Sequence, residues 1–324
     1  MYKKQASAHF EFIYLILSHH KVPQLLRLVR RLRYGSPDSA VVIHHDPKGP
    51  PISAEMLNDI PNVYLVKDPV SVTLYDWTQA EALLHSIGYI SDRFDFAWLS
   101  VISGQDYPLK PLAAIEHELR ETAFDAFVEA YPVSKYDLKD YAHYFSRFVK
   151  LPRFPYYYRF PGAVRQALHH ARMLFQTNWR LPIRIEGADR GTPLMLGIRS
   201  WRTPFSNSFI CYKGSDWFTL SRQAVQYLLD FSHNNASILR YFRRTRVPCE
   251  AFFQTVLLNC GFLRICGDNR RFILWESVQS THPKTLTIHD LELMRTSGKD
   301  FGRKFDMDVD SRVMDVLDDL IARA

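Results

Sequence analysis

Phe12-Ile13-Tyr14-Leu15-Ile16-Leu17, then Ser18-His19-His20-Lys21, then residues 22–32 form the stretch whose reading decides the fold class. Its first six residues are an unbroken apolar run of strand length. Beyond the polar break, Leu25, Leu26, Leu28, Val29 and Leu32 recur at the spacing of one helix face. Gly35-Ser36-Pro37-Asp38-Ser39 is turn chemistry, and residues 40–44 read as a second apolar strand. Working outward, residues 62–66 predict a third strand, 77–87 a helix, and 94–102 a buried strand ending at Ser103-Gly104. Strands apolar on both faces, alternating with helices, predict an α/β fold with a mainly parallel central sheet flanked by helices. Ligands of such sheets gather at the carboxyl ends of the strands.

Farther along, residues 208–212, 217–220 and 272–275 predict strands, and 222–231, 249–258 and 309–322 predict helices. No internal repeat and no Gly/Ser/Pro-rich linker divides the chain, so one domain over residues 1–324 is expected. Residues 134–190 interrupt the rhythm. They hold 11 Lys and Arg against 4 Asp and Glu, a surplus of +7 that equals the net charge of the whole chain. They also hold Tyr136, Tyr141, Tyr144, Phe145, Phe148, Phe154, Tyr156, Tyr157, Tyr158 and Phe160. A basic, aromatic insertion of this kind suits nucleic acid, an anionic membrane surface or a sugar; alternatively its rings pack on the main domain.

The apolar run at 12–17 is too short to cross a bilayer and lacks a signal-peptide cleavage pattern. A cytoplasmic chain is expected, with peripheral membrane contact open. Four cysteines (Cys211, Cys249, Cys260, Cys266) without CxxC spacing predict reduced thiols, neither a disulfide scaffold nor a zinc site.

Five segments carry chemistry. In Val247-Pro248-Cys249-Glu250-Ala251-Phe252-Phe253-Gln254-Thr255, Pro248 takes the first helical position and Glu250 falls in the first turn. The helix dipole there favours its ionised form, which suits a general base; first-turn glutamates also serve helix stability alone. Gly214-Ser215-Asp216-Trp217-Phe218 sets an acid beside an indole, a pairing that suits sugar recognition or simply a turn and a buried ring. Asp106, in Ser103-Gly104-Gln105-Asp106-Tyr107-Pro108-Leu109, and Asp46, in His44-His45-Asp46-Pro47-Lys48, both follow strands, where ligands bind or turns are fixed. The adjacent pairs His44-His45 and His19-His20 suggest a metal, but neighbours in a strand point to opposite faces. Asp306-Met307-Asp308-Val309-Asp310 has DxD spacing, yet it leads into a predicted helix, where acids cap. No metal and no cofactor is therefore expected, and a departing anion would be met by Arg303 and Lys304, with Arg270, Arg271 and Lys284 as further candidates.

Taken in order, these strings resemble the Branch family, the core-2/I-branching β-1,6-N-acetylglucosaminyltransferases and the related peptide O-xylosyltransferases. Residues 14–19, Asp46, Trp77-Thr78-Gln79-Ala80-Glu81, 103–109, 214–222, 248–255 and 301–306 carry the resemblance, which spares roughly 130–185. It implies a GT-A-type nucleotide-sugar-binding fold and an inverting, metal-independent transfer from a UDP-sugar, GlcNAc or xylose, to a glycan or glycoconjugate acceptor. The resemblance makes Glu250 the base and places Arg303 and Lys304 on the donor diphosphate. It puts Asp216, Trp217 and Asp106 at the sugar or acceptor, and Asp46 near the nucleotide. Animal members carry a membrane anchor, a stem and disulfides, which this sequence does not show. The alternative is a non-catalytic module that binds glycan or nucleic acid through the basic aromatic segment; nucleic acid is not the expected partner.

Overall fold

The computed structural model describes residues 8–151, 161–187, 193–277 and 282–323. The predicted alternation appears as β1 (Ala8–Ser18), α1 (Val22–Gly35), β2 (Ala40–His45), β3 (Val63–Leu65), α2 (Trp77–Arg93) and β4 (Phe94–Ser103). A short β5 (Asp106–Pro108), α3 (Leu112–Glu121) and β6 (Ala126–Pro132) follow. The basic segment and its sequel form α4 (Leu138–Tyr144), β7 (Ser146–Lys150), α5 (Gly162–Thr177), β8 (Ile183–Glu186) and β9 (Met195–Arg199). The last third holds β10 (Tyr212–Ser221), α6 (Arg222–Asn234), α7 (Ala236–Phe242) and α8 (Cys249–Leu258). It ends with β11 (Ile265–Cys266), β12 (Arg271–Ile273), α9 (Leu291–Thr296), β13 (Phe301–Arg303) and α10 (Arg312–Arg323).

The central sheet has the order β11-β6-β10-β4-β1-β2-β3, and β10 runs against its two neighbours while the others run together. This is the mainly parallel α/β sheet that the sequence predicts. The unbroken apolar run of β1 has a direct cause. Ile13 and Leu15 face α2 and pack with Leu83 and Ile87, whereas Tyr14 and Ile16 face α1 and pack with Leu25, Leu28 and Leu32. Both faces are covered, so no position alternates to polar. The carboxyl ends of β1, β2 and β4 converge at Ser18, His45 and Ser103. A second sheet, β12-β13-β5, lies just past them and pairs Arg303 with Asp106.

Three sequence expectations shift. Residues 208–211 are not strand; a single strand starts at Tyr212. Side chains of α8 claim the backbone there instead: Asn259 accepts from the Ile210 amide at 2.8 Å and Thr255 from the Tyr212 amide at 3.0 Å. The terminal helix starts at Arg312, not 309, because the Asp310 carboxylate takes the Arg312 amide at 3.0 Å. Pro248 immediately precedes α8, which starts at Cys249, while Glu250 keeps its place in the first turn.

Within the basic segment, β7, β9 and β8 make a small antiparallel sheet. Tyr144 and Phe148 are buried, and Tyr141 stacks on Phe145 at 4.2 Å, so these rings do pack inward. Phe154, Tyr156, Tyr157, Tyr158, Phe160 and Arg190 lie outside the described residues. Among the described residues, no helix is long and apolar enough to cross a membrane. All four cysteines are free thiols, with Cys211, Cys249 and Cys260 buried.

Candidate active site

At the carboxyl edge of the sheet, the strand ends enclose a cavity of about 430 Å³, within the size range of small-molecule sites. Ser18, His19 and His20 from the end of β1, Asp46 and Lys48 after β2, and Ser103 to Gln105 after β4 line it. Gln79 of α2, Trp217 of β10 and Arg303 of β13 complete the wall, with Val72 and Leu74 on an apolar side. Residues nearly 290 positions apart therefore share one space.

Arg303 is the best-anchored cation of this wall. Its guanidinium donates to Asp106 at 2.8 Å and to the Ser103 hydroxyl, and lies 4.4 Å over the Trp217 ring. The indole and the carboxylate hold one side of the guanidinium, leaving its remaining donors for an anion. Asp106 itself has no exposed side-chain surface. It also takes the Ser103 amide and hydroxyl, each at 2.9 Å. The sequence expectation put Asp106 at the sugar or acceptor; here its carboxylate is engaged by Arg303 and Ser103 and stands outside the cavity lining. Lys304 is half-buried and stands outside the cavity lining; its carbonyl takes the Leu286 amide. The other candidate cations are spent elsewhere: Arg270 on Glu118 and Asp300, Lys284 on Asp290, and Arg271 on carbonyls inside the core.

Asp46 lines the cavity, and its two oxygens fix the surrounding loops by accepting the Lys48 amide at 2.9 Å and the Val72 amide at 3.0 Å. His44 is buried, with its pKa lowered to about 4 by desolvation, and its Nε2 accepts the Val70 amide. His45 is tied to Ser18 and Pro50. His19 and His20 face the cavity, and burial, together with other effects, holds both below the ordinary histidine range. In the DxD stretch, Lys21 pairs with Asp306 and Asp308, and Asp310 accepts the Ile288 amide at 3.0 Å.

Glu250 does not line the cavity; it lies behind a relay of polar groups. Gln79, on the wall, donates to Asp216 at 2.8 Å. Asp216 is half-buried beside the Cys249 thiol with one carboxylate oxygen sealed from solvent, and desolvation raises its pKa. Its charge in turn acts on Glu250, whose pKa is pushed up to about 7 by burial first and Asp216 second. Lys213 opposes this from 3.7 Å, held in place by Asp140 at 2.8 Å. Against burial, which lowers it, Glu250 and Asp140 hold the Lys213 ammonium above the usual lysine range. The helix dipole expected to keep Glu250 ionised is thus outweighed by desolvation and a second carboxylate.

The local backbone explains how Asp216 and Trp217 are aimed. β10 changes register against β6 between Gly214 and Phe218, a bulge that turns the intervening residues. Gly214 sits so close to β6 that an added Cβ would lie 1.8 Å from the Glu129 carbonyl oxygen. Gln254 of α8 clamps the bulge by donating to the Ser215 carbonyl at 2.6 Å.

Residues 182–296, which contain Asp216, Trp217 and Glu250, match the family model Branch, described as Core-2/I-Branching enzyme. This part of the chain is similar to the Branch family. Xylosyltransferase 2 of the dog (Canis lupus familiaris) is 33% identical over 124 residues, covering 32% of this chain and 14% of that protein. Among solved structures, a Bacillus anthracis protein assigned as a glucose-1-phosphate thymidylyltransferase, in complex with sucrose, overlaps 67% of this chain and 74% of its own. The TM-score is 0.28 and the identity 10%.

Sequence reasoning missed Gln79, Lys213 and Asp140. Gln79 and Lys213 stand inside or beside the strings that carry the Branch resemblance, but nothing local marks them as partners of Asp216 and Glu250. Asp140 lies in the basic segment, 73 positions from the lysine that it holds.

Proposed function

We propose that the chain is an inverting glycosyltransferase that moves a sugar from a UDP-sugar, with GlcNAc or xylose favoured, to a hydroxyl of a glycan or glycoconjugate. One observation carries the reading: Arg303, stacked on Trp217, shares the cavity wall with Gln79, whose partner Asp216 acts electrostatically on the carboxylate of Glu250. In this reading Arg303 meets the leaving diphosphate inside the cavity, and Glu250, behind the cavity wall, serves as the base for an acceptor that reaches it. In the reaction, the acceptor O–H gives its proton to Glu250 as its oxygen bonds to the anomeric carbon. The bond from that carbon to the diphosphate breaks on the opposite face, and its electron pair leaves with UDP, whose charge Arg303 offsets. Lys304, one residue on, supplies longer-range positive potential. Asp46 and the histidines at the strand ends face the nucleotide. No metal enters the step.

A screen for UDP release with several UDP-sugars and simple acceptors tests this. Turnover with at least one donor is expected, and Glu250→Gln lowers it by about 100-fold or more while UDP still binds. Wild-type turnover in Glu250→Gln removes the assigned base. Absence of turnover with every donor, combined with glycan binding, favours a non-catalytic module.

A further inference from the structure

The small sheet β7-β9-β8 has two unlike faces. Toward the main domain it points Phe148, Arg184, Met195 and Glu186, all buried, with Glu186 bonded to Arg184 at 2.7 Å and to Arg246 at 3.3 Å. Strand alternation sends the intervening residues the other way. Val149, Leu196 and Ile185 stand side by side in one row, and Arg147, Ile198 and Ile183 in the next. These are aliphatic side chains on an outward face: Val149 is 50% exposed, Ile183 41% and Ile198 53%. Hydrogen bonds from the Ser200 amide to the Phe145 carbonyl and from Arg147 to the Arg202 carbonyl hold the turn after β9 beside this face. At its tip, Trp201 is 95% exposed. Helix α5 is packed along β8, and none of its described side chains is buried.

An aliphatic sheet face with a projecting tryptophan is costly in water and asks for a partner. The charge of the segment selects the kind. Residues 134–190 carry a sequence surplus of +7, and Arg147 stands in the outward rows, which disfavours a second copy of this segment and favours a negative surface. Nucleic acid is negative too, but it is gripped by stacking and phosphate contacts, and a row of Ile, Val and Leu offers neither. A bilayer of anionic lipid satisfies both features, with aliphatic groups at the acyl boundary, an indole at the headgroup level and cations above the phosphates.

We propose that the outer face of β7-β9-β8, with Trp201, is a docking surface for an anionic lipid bilayer. It does not depend on the transfer chemistry.

Co-sedimentation of the full chain with phosphatidylglycerol-containing and pure phosphatidylcholine vesicles tests it. The chain is expected to pellet with the anionic vesicles, to stay in solution with the neutral ones, and to be released by salt. Ile183→Asp with Ile198→Asp should weaken the partition by about tenfold or more. Trp201→Ala, in a turn that leaves the sheet intact, should weaken it several-fold, and thermal melting checks that both variants fold. No binding to anionic vesicles overturns the proposal, as does undiminished binding by the folded variants. A solution dimer that the same substitutions dissociate also overturns it, in favour of self-association.

Discussion

The ammonium of Lys213 stands 3.7 Å from the carboxylate of Glu250. Asp140, from the basic segment, fixes that lysine at 2.8 Å, while Asp216 presses on Glu250 electrostatically. The proposed base therefore titrates near neutrality, balanced between one cation and the burial and carboxylate that oppose it.

That balance predicts a pH profile. Glu250 must be ionised to accept a proton, and its pKa lies at about 7, so kcat/KM should rise through pH 7 and level off above it. In Lys213→Met the stabilising charge is gone, and the limb should move up to roughly pH 8. A limb that stays put in Lys213→Met separates the lysine from the base.

The same pKa makes a stability statement. A carboxyl group raised in the folded state stabilises it below the ordinary carboxyl range and loses that contribution as pH climbs through about 7. Glu250→Gln should then melt higher than wild type at pH 8 and close to it at pH 4. The gain is on the order of 1 kcal/mol, because about a third of the side chain meets water. Calorimetry at both pH values decides; a lower melting temperature at pH 8 contradicts the burial argument.

Asp106 should matter through Arg303. Asp106→Asn removes a charge that meets no solvent and that the guanidinium faces at 2.8 Å. UDP affinity should fall about tenfold as the guanidinium loses its fixed direction. Isothermal titration with UDP reads this directly. Unchanged affinity would mean that Trp217 alone orients the arginine.

Gly214→Ala should be poorly tolerated, since its Cβ would meet backbone rather than a movable side chain. A loss of about 2 kcal/mol or more is expected in urea unfolding, accompanied by weakened UDP binding through a displaced Trp217. Equal stability of the two proteins would show that the bulge yields easily.

Chelation supplies the last test. Lys21 already engages Asp306 and Asp308, so EDTA should leave turnover unchanged. Activity lost in EDTA and restored by manganese would return that acidic stretch to the reaction.

Local chemistry in the sequence was enough to determine the alternation of β1, α1, β2, α2 and β4, because burial on both faces writes an unbroken apolar run and helix packing writes a 3.6-residue period. It also determined which turn of α8 Glu250 occupies. Which residues meet was decided only by the tertiary structure. Asp106 and Trp217 both looked like sugar ligands, yet pairing of β5 with β13 spent the first on Arg303, while the bulge in β10 turned the second into the cavity. Likewise, the first-turn position of Glu250 favours a charged carboxylate, and only its burial beside Asp216 pushes the group toward neutrality. Desolvation and charge–charge coupling depend on through-space neighbours, and these neighbours come from α2, α4, β10 and β13, segments that no local pattern connects.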